Sequence, residues 1–415
     1  VGGTEKHKPN TTYFLENLEY YEKRANPYGY AYDTIRWNLL CKGVLEFLLI
    51  SDWTPDIIVC TDWAIGYLPN YLKTEYKHHD KLKNIATAFS IHNLSYQGMF
   101  RQQFVSKEDY DTGLSALPSF EDSRMRLMNG MRRGIIYADV INTVSANYAH
   151  EIVTNKVTGE GLNTLLSKRK SVLHGILNGL DYELMNPETD PSLAAKFSRS
   201  SLAKRLKNKR AVQKYFGLPL NPDAFLIGIV SRLNEQKGFD LLVDSVDKIL
   251  EELDVQLVVL GEGDTKYMDY FKDLQEKFPK HVGFKFNFER ILPRLIFAGT
   301  DSVLIPSKFE PSGLIQMEAM RYGSVPIVRK VGGLADTVHD HGDKTAPHTG
   351  FVFEKFDPFS LSIAIVRAYE NFRNPALWKK IQQNGMSQDF SWASSALKYE
   401  AMFKEAIKRG KHAKK

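Results

Sequence analysis

Ten short runs of β-branched and aliphatic residues, each ending in polar or glycine-bearing residues, restrict what this chain can fold into. Four fall in the first half: "PDIIVCTD" (55–62), "NIATAFSIHN" (84–93), "DVINTVS" (139–145) and "SVLHGILNG" (171–179). Six follow: "AFLIGIVSRL" (224–233), "VQLVVLGEGD" (255–264), "VGFKFNF" (282–288), "DSVLIPS" (301–307), "SVPIVRK" (324–330) and "GFVF" (350–353). Helical periodicity separates most of them, as in "FDLLVDSVDKILEEL" (239–253). Strands alternating with helices imply right-handed βαβ units and parallel sheets. Runs apolar on both faces suit strands buried on both sides. The turn-rich stretch "LNGLDYELMNPETDPSLAAKF" (177–197) divides the two series. The expectation is an α/β protein with two doubly wound domains facing a cleft.

At 415 residues the chain is long enough for two sizeable cores. Its apolar fraction of 43% and charged fraction of 25% are those of a soluble globular protein. The longest apolar run, "GVLEFLLI" (43–50), is too short to span a membrane, so no membrane partner is expected. Two cysteines, Cys41 and Cys60, make neither a disulfide framework nor a zinc set. They point to a reducing compartment: the cytoplasm, or the plastid of a plant or alga. The basic clusters "KRLKNKR" (204–210) and "KRGKHAKK" (408–415) read as solvated helix faces. No nucleic-acid signature accompanies them, so no nucleic-acid partner is expected. Oligomeric state is not written in the sequence.

Ligands of doubly wound sheets bind beyond the carboxyl ends of the strands, so chemistry is sought there. The run 224–233 leads into "SRLNEQKGFD", placing Arg232 and Lys237 beside the next helix. Two cations there suit a diphosphate, although a loop with two surface cations has the same pattern. The run 301–307 leads into "SKFEPSGLIQMEAM", where Pro311 and Gly313 mark a turn before a helix. The first amides of a helix lack partners and carry the positive end of its dipole, a natural phosphate seat. Glu310 stands outside that seat and Glu318 is eight residues on, about two turns, on nearly the same face. Either carboxylate could steady a cationic transition state or hold a sugar hydroxyl; Glu310 could equally just complement the helix N-terminus. The run 324–330 leads into "VGGLADTV", where Gly332 and Gly333 let backbone approach a ligand. In the first half Asp62 and His92 each close a strand. "VHDHGDKTAPH" (338–348) matches no zinc spacing and reads as a polar loop. No metal site is expected, and no Asp-X-Asp pair sits where it would hold a metal-bound diphosphate.

With these residues in place the chain resembles bacterial glycogen synthase and plant starch synthase, the glucan synthases of retaining glycosyltransferase family 5. The likeness runs from "YFLENLEYYEKRANPYGY" (13–30) almost to the end. "PDIIVCTDW", "AFSIHNLSYQGMF", "GIIYADVINTVSANYAHEI", "LNGLDYELMNPETD", "IVSRLNEQKGFDLL", "LIPSKFEPSGLIQMEAMRYGSVPIVRKVGGLADTV" and "DFSWASSALKYEAMF" come in family order. The resemblance implies the GT-B fold of two Rossmann-like domains. It places an acceptor-side domain at 1–186, a nucleotide-sugar domain at 187–389, and a C-terminal helix, 390–415, crossing back to the first domain.

By the same resemblance Arg232 and Lys237 are similar to the pair that grips the donor diphosphate. Glu310 is similar to the glutamate that contacts the transferred glucose, and His92 to the histidine beside it. Asp62 resembles the acceptor-side aspartate. Ser312, Gly313 and Leu314, with Gly332, Gly333 and Leu334, look like backbone nests for phosphate and sugar. Phe288 falls where the family sets an aromatic ring against the nucleobase, and Glu318 matches a glutamate placed near the ribose. The implied reaction is retaining glucosyl transfer from a nucleotide sugar to an α-1,4-glucan. No cofactor is implied beyond the donor, ADP-glucose or UDP-glucose, with the bacterial-like pattern favouring ADP-glucose. The alternatives are an inactive glucan-binding or scaffolding relative, or another GT-B glycosyltransferase. Three departures stand out. The family's opening lysine-Gly-Gly loop is missing before "VGGTEKHKPN", which suggests a truncated or replaced start that puts activity in question. Ser312 stands where many members have cysteine, and Ala64 where many have histidine.

Overall fold

The computed structural model describes residues 2–7, 10–98, 110–243, 245–286, 291–343 and 346–412. The chain forms two compact units, one of residues 1–144, 149–176 and 397–415, the other of 145–148 and 177–396. The chain passes from one unit to the other at 176/177 and 396/397, against the expected boundaries of 186/187 and 389/390.

All ten anticipated strands form, and an unanticipated antiparallel hairpin precedes them: β1 (Gly2–His7) and β2 (Asn10–Phe14). Its strands are short and largely polar, so they carry no apolar run to announce them. The first unit holds a parallel sheet in the order β3 (Ile57–Thr61), β4 (Ala86–Ile91), β5 (Val140–Thr143), β6 (Leu173–Gly175). The central strands β4 and β5 are buried at every position. The edge strand β3 is not, and its Val59 is 44% exposed. In the C-terminal helix Trp392–His412, Met402 and Ala406 pack against Ala86, Ala88 and Val140 of β4 and β5. Beneath the sheet, Arg133 and Asp111 form a fully buried ion pair at 2.8 Å, with Asn70 and Ser115 completing the guanidinium's bonds.

The second unit holds six parallel strands: β7 (Phe225–Val230), β8 (Val255–Leu260), β9 (Val282–Lys285), β10 (Ser302–Ile305), β11 (Val325–Arg329) and β12 (Phe351–Phe353). Their order is β12-β11-β10-β7-β8-β9. The chain steps outward from β7 to β9, returns to pair β10 beside β7, and then steps out the other way. The β7/β10 boundary is thus a switch point, where successive loops diverge and leave a crevice. Phe225, Leu257, Phe271, Phe351 and Ile365 belong to the core on one face of this sheet, and Val212, Leu226, Val258 and Phe297 to the core on the other.

One expectation is corrected. The cluster 204–210 is not simply a solvated face. Lys204, Lys207 and Arg210 are exposed, but Arg205 and Lys209, one turn apart on helix Arg205–Tyr215, point into the unit. Arg205 donates to the carbonyls of Phe297, Thr300 and Tyr322. Lys209 donates to the carbonyls of Pro222 and Ala224 and pairs with Asp301 at 2.7 Å. Two helix ends and two strand starts therefore hang on two cations that composition alone marks as surface. The periodic run 239–253 is helical over Asp240–Val243 and Val246–Glu252. Among the described residues no helix is long and apolar enough to cross a membrane.

Candidate active site

At the switch point the loops after β7 and β10 are sewn together by backbone. Past Arg232 the chain makes a short turn, Glu235–Lys237, closed by Gly238 at φ +74°. A Cβ on Gly238 would lie 2.1 Å from the Pro306 carbonyl oxygen, so only glycine brings the turn this close to the end of β10. The Lys308 amide donates to the Gln236 carbonyl at 2.8 Å, and Gln236 Nε2 donates to the Phe309 carbonyl at 3.2 Å. Lys237 and Glu310 are thereby fixed against each other.

Glu310 is 8% exposed. Its Oε2 accepts from Lys237 Nζ at 2.5 Å and from Ser307 Oγ at 3.0 Å, and Ser307 is itself fully buried. Among the described residues no donor reaches Oε1. The carboxylate is therefore held by one oxygen and offers the other. This settles a point the sequence left open: Glu310 is not a helix cap. It precedes the helix Ile315–Arg321 by five residues, and lysine and serine hold it rather than helix amides. For the same reason Glu310 and Glu318 do not share a helix face; only Glu318 is helical. Burial pushes the Glu318 carboxyl up to about 7, with Arg294 partly opposing the shift.

Between Glu310 and the helix, Gly313 turns the chain at φ +64°. Fully buried Gln316 holds that turn, its Nε2 donating to the carbonyls of Ser312 (3.2 Å) and Gly313 (2.7 Å) and to Thr337 Oγ1 (3.0 Å). Its Oε1 has no donor among the described residues. Asn178 Nδ2 reaches Ser312 Oγ at 3.4 Å. Leu314, 40% exposed, begins the helix without a side-chain cap.

Gly332, Gly333 and Leu334 open the next helix, Gly332–Thr337. What approaches these glycines is backbone. A Cβ on Gly332 would lie 1.9 Å from the Glu310 carbonyl oxygen, and one on Gly333 would lie 1.9 Å from that of Ser312. The Gly333 amide donates to the carbonyls of Glu310 and Pro311, and the Leu334 amide to that of Val331. Leu334's side chain is fully buried. The glycine pair thus braces the Glu310–Ser312 turn from behind.

In front of these loops lies a cavity of about 450 Å³ lined by Ser231, Arg232, Lys237, Glu262, Gly263 and Ile315. A recess of about 50 Å³ bordered by Lys237, Ser307, Glu310, Gly313 and Gln316 lies beside it. Arg232 is exposed and, among the described residues, has no carboxylate partner, unlike Lys237. The rim on the β8 side forms because the Leu233 amide donates to the Glu262 carbonyl at 2.8 Å, while Gly263 lets the two loops touch. A cavity with one free cation, one shared cation and a carboxylate offering one oxygen fits a phosphorylated, hydroxyl-rich ligand.

The first unit brings Asp62 and His92 together. They directly follow β3 and β4, and Asp62 Oδ1 accepts the His92 amide at 2.8 Å. Asp62 has φ +56°, left-handed backbone that a non-glycine residue holds only when its surroundings demand it. Burial raises its carboxyl above the usual range, opposed by the His92 amide and ring and by the Asn93 amide. Ala64 is buried one turn into the short helix Asp62–Ile65. Phe288 lies outside the described residues. Of the histidine-rich loop, His339 Nδ1 pairs with Asp343 at 3.0 Å, and among the described residues no group of three or more metal-ligating side chains converges.

Sequence reasoning missed Ser307, Gln316 and Glu262. Ser307 and Gln316 lie inside the quoted "SKFEPSGLIQMEAM", and Glu262 in "LGEGD" just past β8. Ser307 and Glu262 sit just beyond a strand end, the signal that singled out their neighbours, while Gln316 lies in the first turn of the helix Ile315–Arg321; residues of these types at such positions are too common to stand out.

The model of the starch synthase catalytic domain matches residues 3–168, and that of glycosyl transferases group 1 matches 213–385. Glycogen synthase of Geotalea daltonii is 41% identical over 406 residues, covering 96% of this chain and 83% of that protein. Glycogen synthase of Clostridium perfringens is 41% identical over 399 residues, covering 95% and 82%. The catalytic domain of starch synthase IV from Arabidopsis thaliana, solved bound to ADP and acarbose, superposes with TM-score 0.80 at 33% identity, covering 93% of this chain and 80% of that one. Sucrose-phosphate synthase from Thermosynechococcus elongatus, at TM-score 0.58 and 18% identity, shares the fold alone. The chain belongs to the glycogen and starch synthase family, the glucan-elongating glycosyltransferases of the GT-B fold.

Proposed function

We propose that this chain transfers glucose from ADP-glucose to the 4-hydroxyl end of an α-1,4-glucan, with retention of configuration. One observation carries the reading: a buried Glu310, tethered through one oxygen by Lys237 and Ser307, beside a cavity lined by Lys237 and by an Arg232 that has no carboxylate partner among the described residues. The family supplies the reaction class; the ADP in the starch synthase IV structure favours an adenine nucleotide.

The donor's diphosphate occupies the cavity in front of Arg232 and Lys237. Charge grows on it as the glycosidic bond breaks, and fixed cations that need no reorganisation stabilise that charge most in the transition state. The sugar ring, left with oxocarbenium character, faces Glu310 Oε1. Lys237 serves both groups: it neutralises Glu310 in the free enzyme and shifts toward the phosphate when donor binds, while Ser307 keeps Glu310 in place. Glu318 accepts from a ribose hydroxyl, and Phe288 meets the base. Asp62 and His92 handle the acceptor side and the transferred glucosyl. Holding donor and acceptor together supplies a further large part of the rate.

Incubation with ADP-[14C]glucose and glycogen tests the reading. Label in ethanol-precipitable polymer, released by an α-1,4-specific amylase, is the expected result. Glycogen binding with no incorporation would mean an inactive glucan-binding relative instead.

A further inference from the structure

Gln316 is fully buried beside the turn that follows Glu310, and its bonds decide which way two peptide planes of that turn face. The atom that meets the Ser312 carbonyl at 3.2 Å and the Gly313 carbonyl at 2.7 Å is Nε2, because carbonyl oxygens accept and never donate. Thr337 Oγ1 accepts from the same Nε2 at 3.0 Å and donates to the Gly333 carbonyl at 2.7 Å, which anchors the side chain in the next helix.

In a trans peptide the N–H points opposite to the C=O of the same plane. With the Ser312 and Gly313 carbonyls drawn onto Gln316, the amides of Gly313 and Leu314 face away from it. Neither amide has an acceptor among the described residues, and both residues border the recess shared by Lys237, Ser307 and Glu310. Gln316 Oε1, which has no donor either, lies against the Gly313 α-carbon: a Cβ built there would come within 2.5 Å of it. Glycine is thus what lets the turn settle onto Gln316. Two unpartnered N–H groups on adjacent peptides, with a lysine beside them, suit an anionic oxygen.

We infer that Gln316 is a positioning residue for glucosyl transfer: it holds the peptides 312–313 and 313–314 so that their N–H groups meet the distal phosphate of the donor as the glycosidic bond breaks. The inference rests on the proposed function for the identity of that phosphate. Charge on the phosphate grows toward the transition state, and donors already aimed at it need no reorganisation. Without Gln316 the two carbonyls are left buried and unpaired. Each peptide then gains by rotating its carbonyl into the recess, which turns the N–H away and sets a negative dipole against the phosphate.

Ser-Gly occurs once in the sequence, at 312–313. Carbonyl-13C serine with 15N glycine, introduced by cell-free synthesis, therefore lets a carbonyl-filtered NMR spectrum of the full chain show the Gly313 amide alone. The parent should bind ADP in titration calorimetry, and its Gly313 amide proton should move downfield as ADP saturates. Gln316→Leu removes the donor and keeps a buried side chain; Thr337→Val removes only the anchoring hydroxyl. Gln316→Leu should lower kcat about tenfold or more, with a smaller change in the KM for ADP-glucose, and leave the Gly313 amide unmoved by ADP. Thr337→Val should show both effects in part, and it carries the comparison if Gln316→Leu does not fold. A merely structural Gln316 would lower the unfolding temperature of the variants but leave kcat per folded molecule and the Gly313 response as in the parent; that result overturns the inference. So does a parent that binds ADP while its Gly313 amide stays where it was. A parent that binds no ADP at all is a different failure: it removes the proposed donor, and this inference with it.

Discussion

Replacing Ser307 by alanine probes the tether that leaves Glu310 with one offered oxygen. The hydroxyl is fully buried and has one recorded side-chain partner, Glu310 Oε2 at 3.0 Å. In the free enzyme Lys237 holds the same oxygen at 2.5 Å, so the variant should still fold and still place the carboxylate. The difference appears when the donor diphosphate draws on Lys237. Ser307 is then the remaining tether, and a hydrogen bond to a charged acceptor is worth about 1.5–3 kcal/mol. Realised in the transition state, that corresponds to a kcat lower by roughly 10- to 150-fold. The donor KM should move less than about threefold, since diphosphate contacts made equally in ground and transition states are untouched. Initial rates across a range of ADP-glucose concentrations at saturating glycogen give both constants. Ser307→Thr, which restores a hydroxyl, should recover part of the loss. A Ser307→Ala enzyme with full kcat, or with its whole defect in KM, would show that Ser307 does not position Glu310.

Arg232→Ala should weaken ADP binding about 10- to 100-fold by titration calorimetry while leaving glycogen binding unchanged, because it removes one charge-assisted contact to phosphate. Glu318 should make both stability and nucleotide affinity depend on pH. Its carboxyl titrates at about 7 when folded against an ordinary 4.5, so the folded state holds the proton more tightly. That stabilising contribution is complete below 4.5 and fades as pH rises through 7, by at most roughly 3 kcal/mol. Thermal melts of Glu318→Gln should therefore flatten between pH 5 and about 8 relative to the parent; an unchanged slope would contradict the shift. At Asp62, φ +56° makes Asp62→Ala costlier to stability than Asp62→Gly by about 1–2 kcal/mol, measurable by urea unfolding, whereas equal losses would mean the backbone relaxes.

The strands were legible because parallel strands buried on both faces need unbroken apolar runs, and β4, β7 and β8 are buried at every position. The hairpin β1–β2 was not, because short, largely polar strands leave no such run. Arg205 and Lys209 were misread for a related reason: whether a lysine one turn from another cation faces solvent depends on carbonyls of residues 222–224 and 297–322, far away in sequence. In the candidate site, Arg232, Lys237 and Glu310, which the structure brings around adjoining cavities, could be singled out because strand ends of a doubly wound sheet are where ligands bind. What the sequence could not show was that Lys237 pairs with Glu310 across 73 residues, that buried Ser307 completes the pair, and that Gly332 and Gly333 brace backbone. Each depends on how two loops meet at the switch point, which local pattern does not encode.

The central claim is that the pyrophosphate of a nucleotide sugar lies against Arg232 and Lys237 with the sugar turned toward Glu310. A crystal of the chain soaked with ADP tests it most directly. The account predicts diphosphate density within hydrogen-bonding distance of the Arg232 guanidinium and Lys237 Nζ, with the Lys237–Glu310 pair lengthened. Density bound elsewhere on the second unit, with both cations untouched, would contradict it.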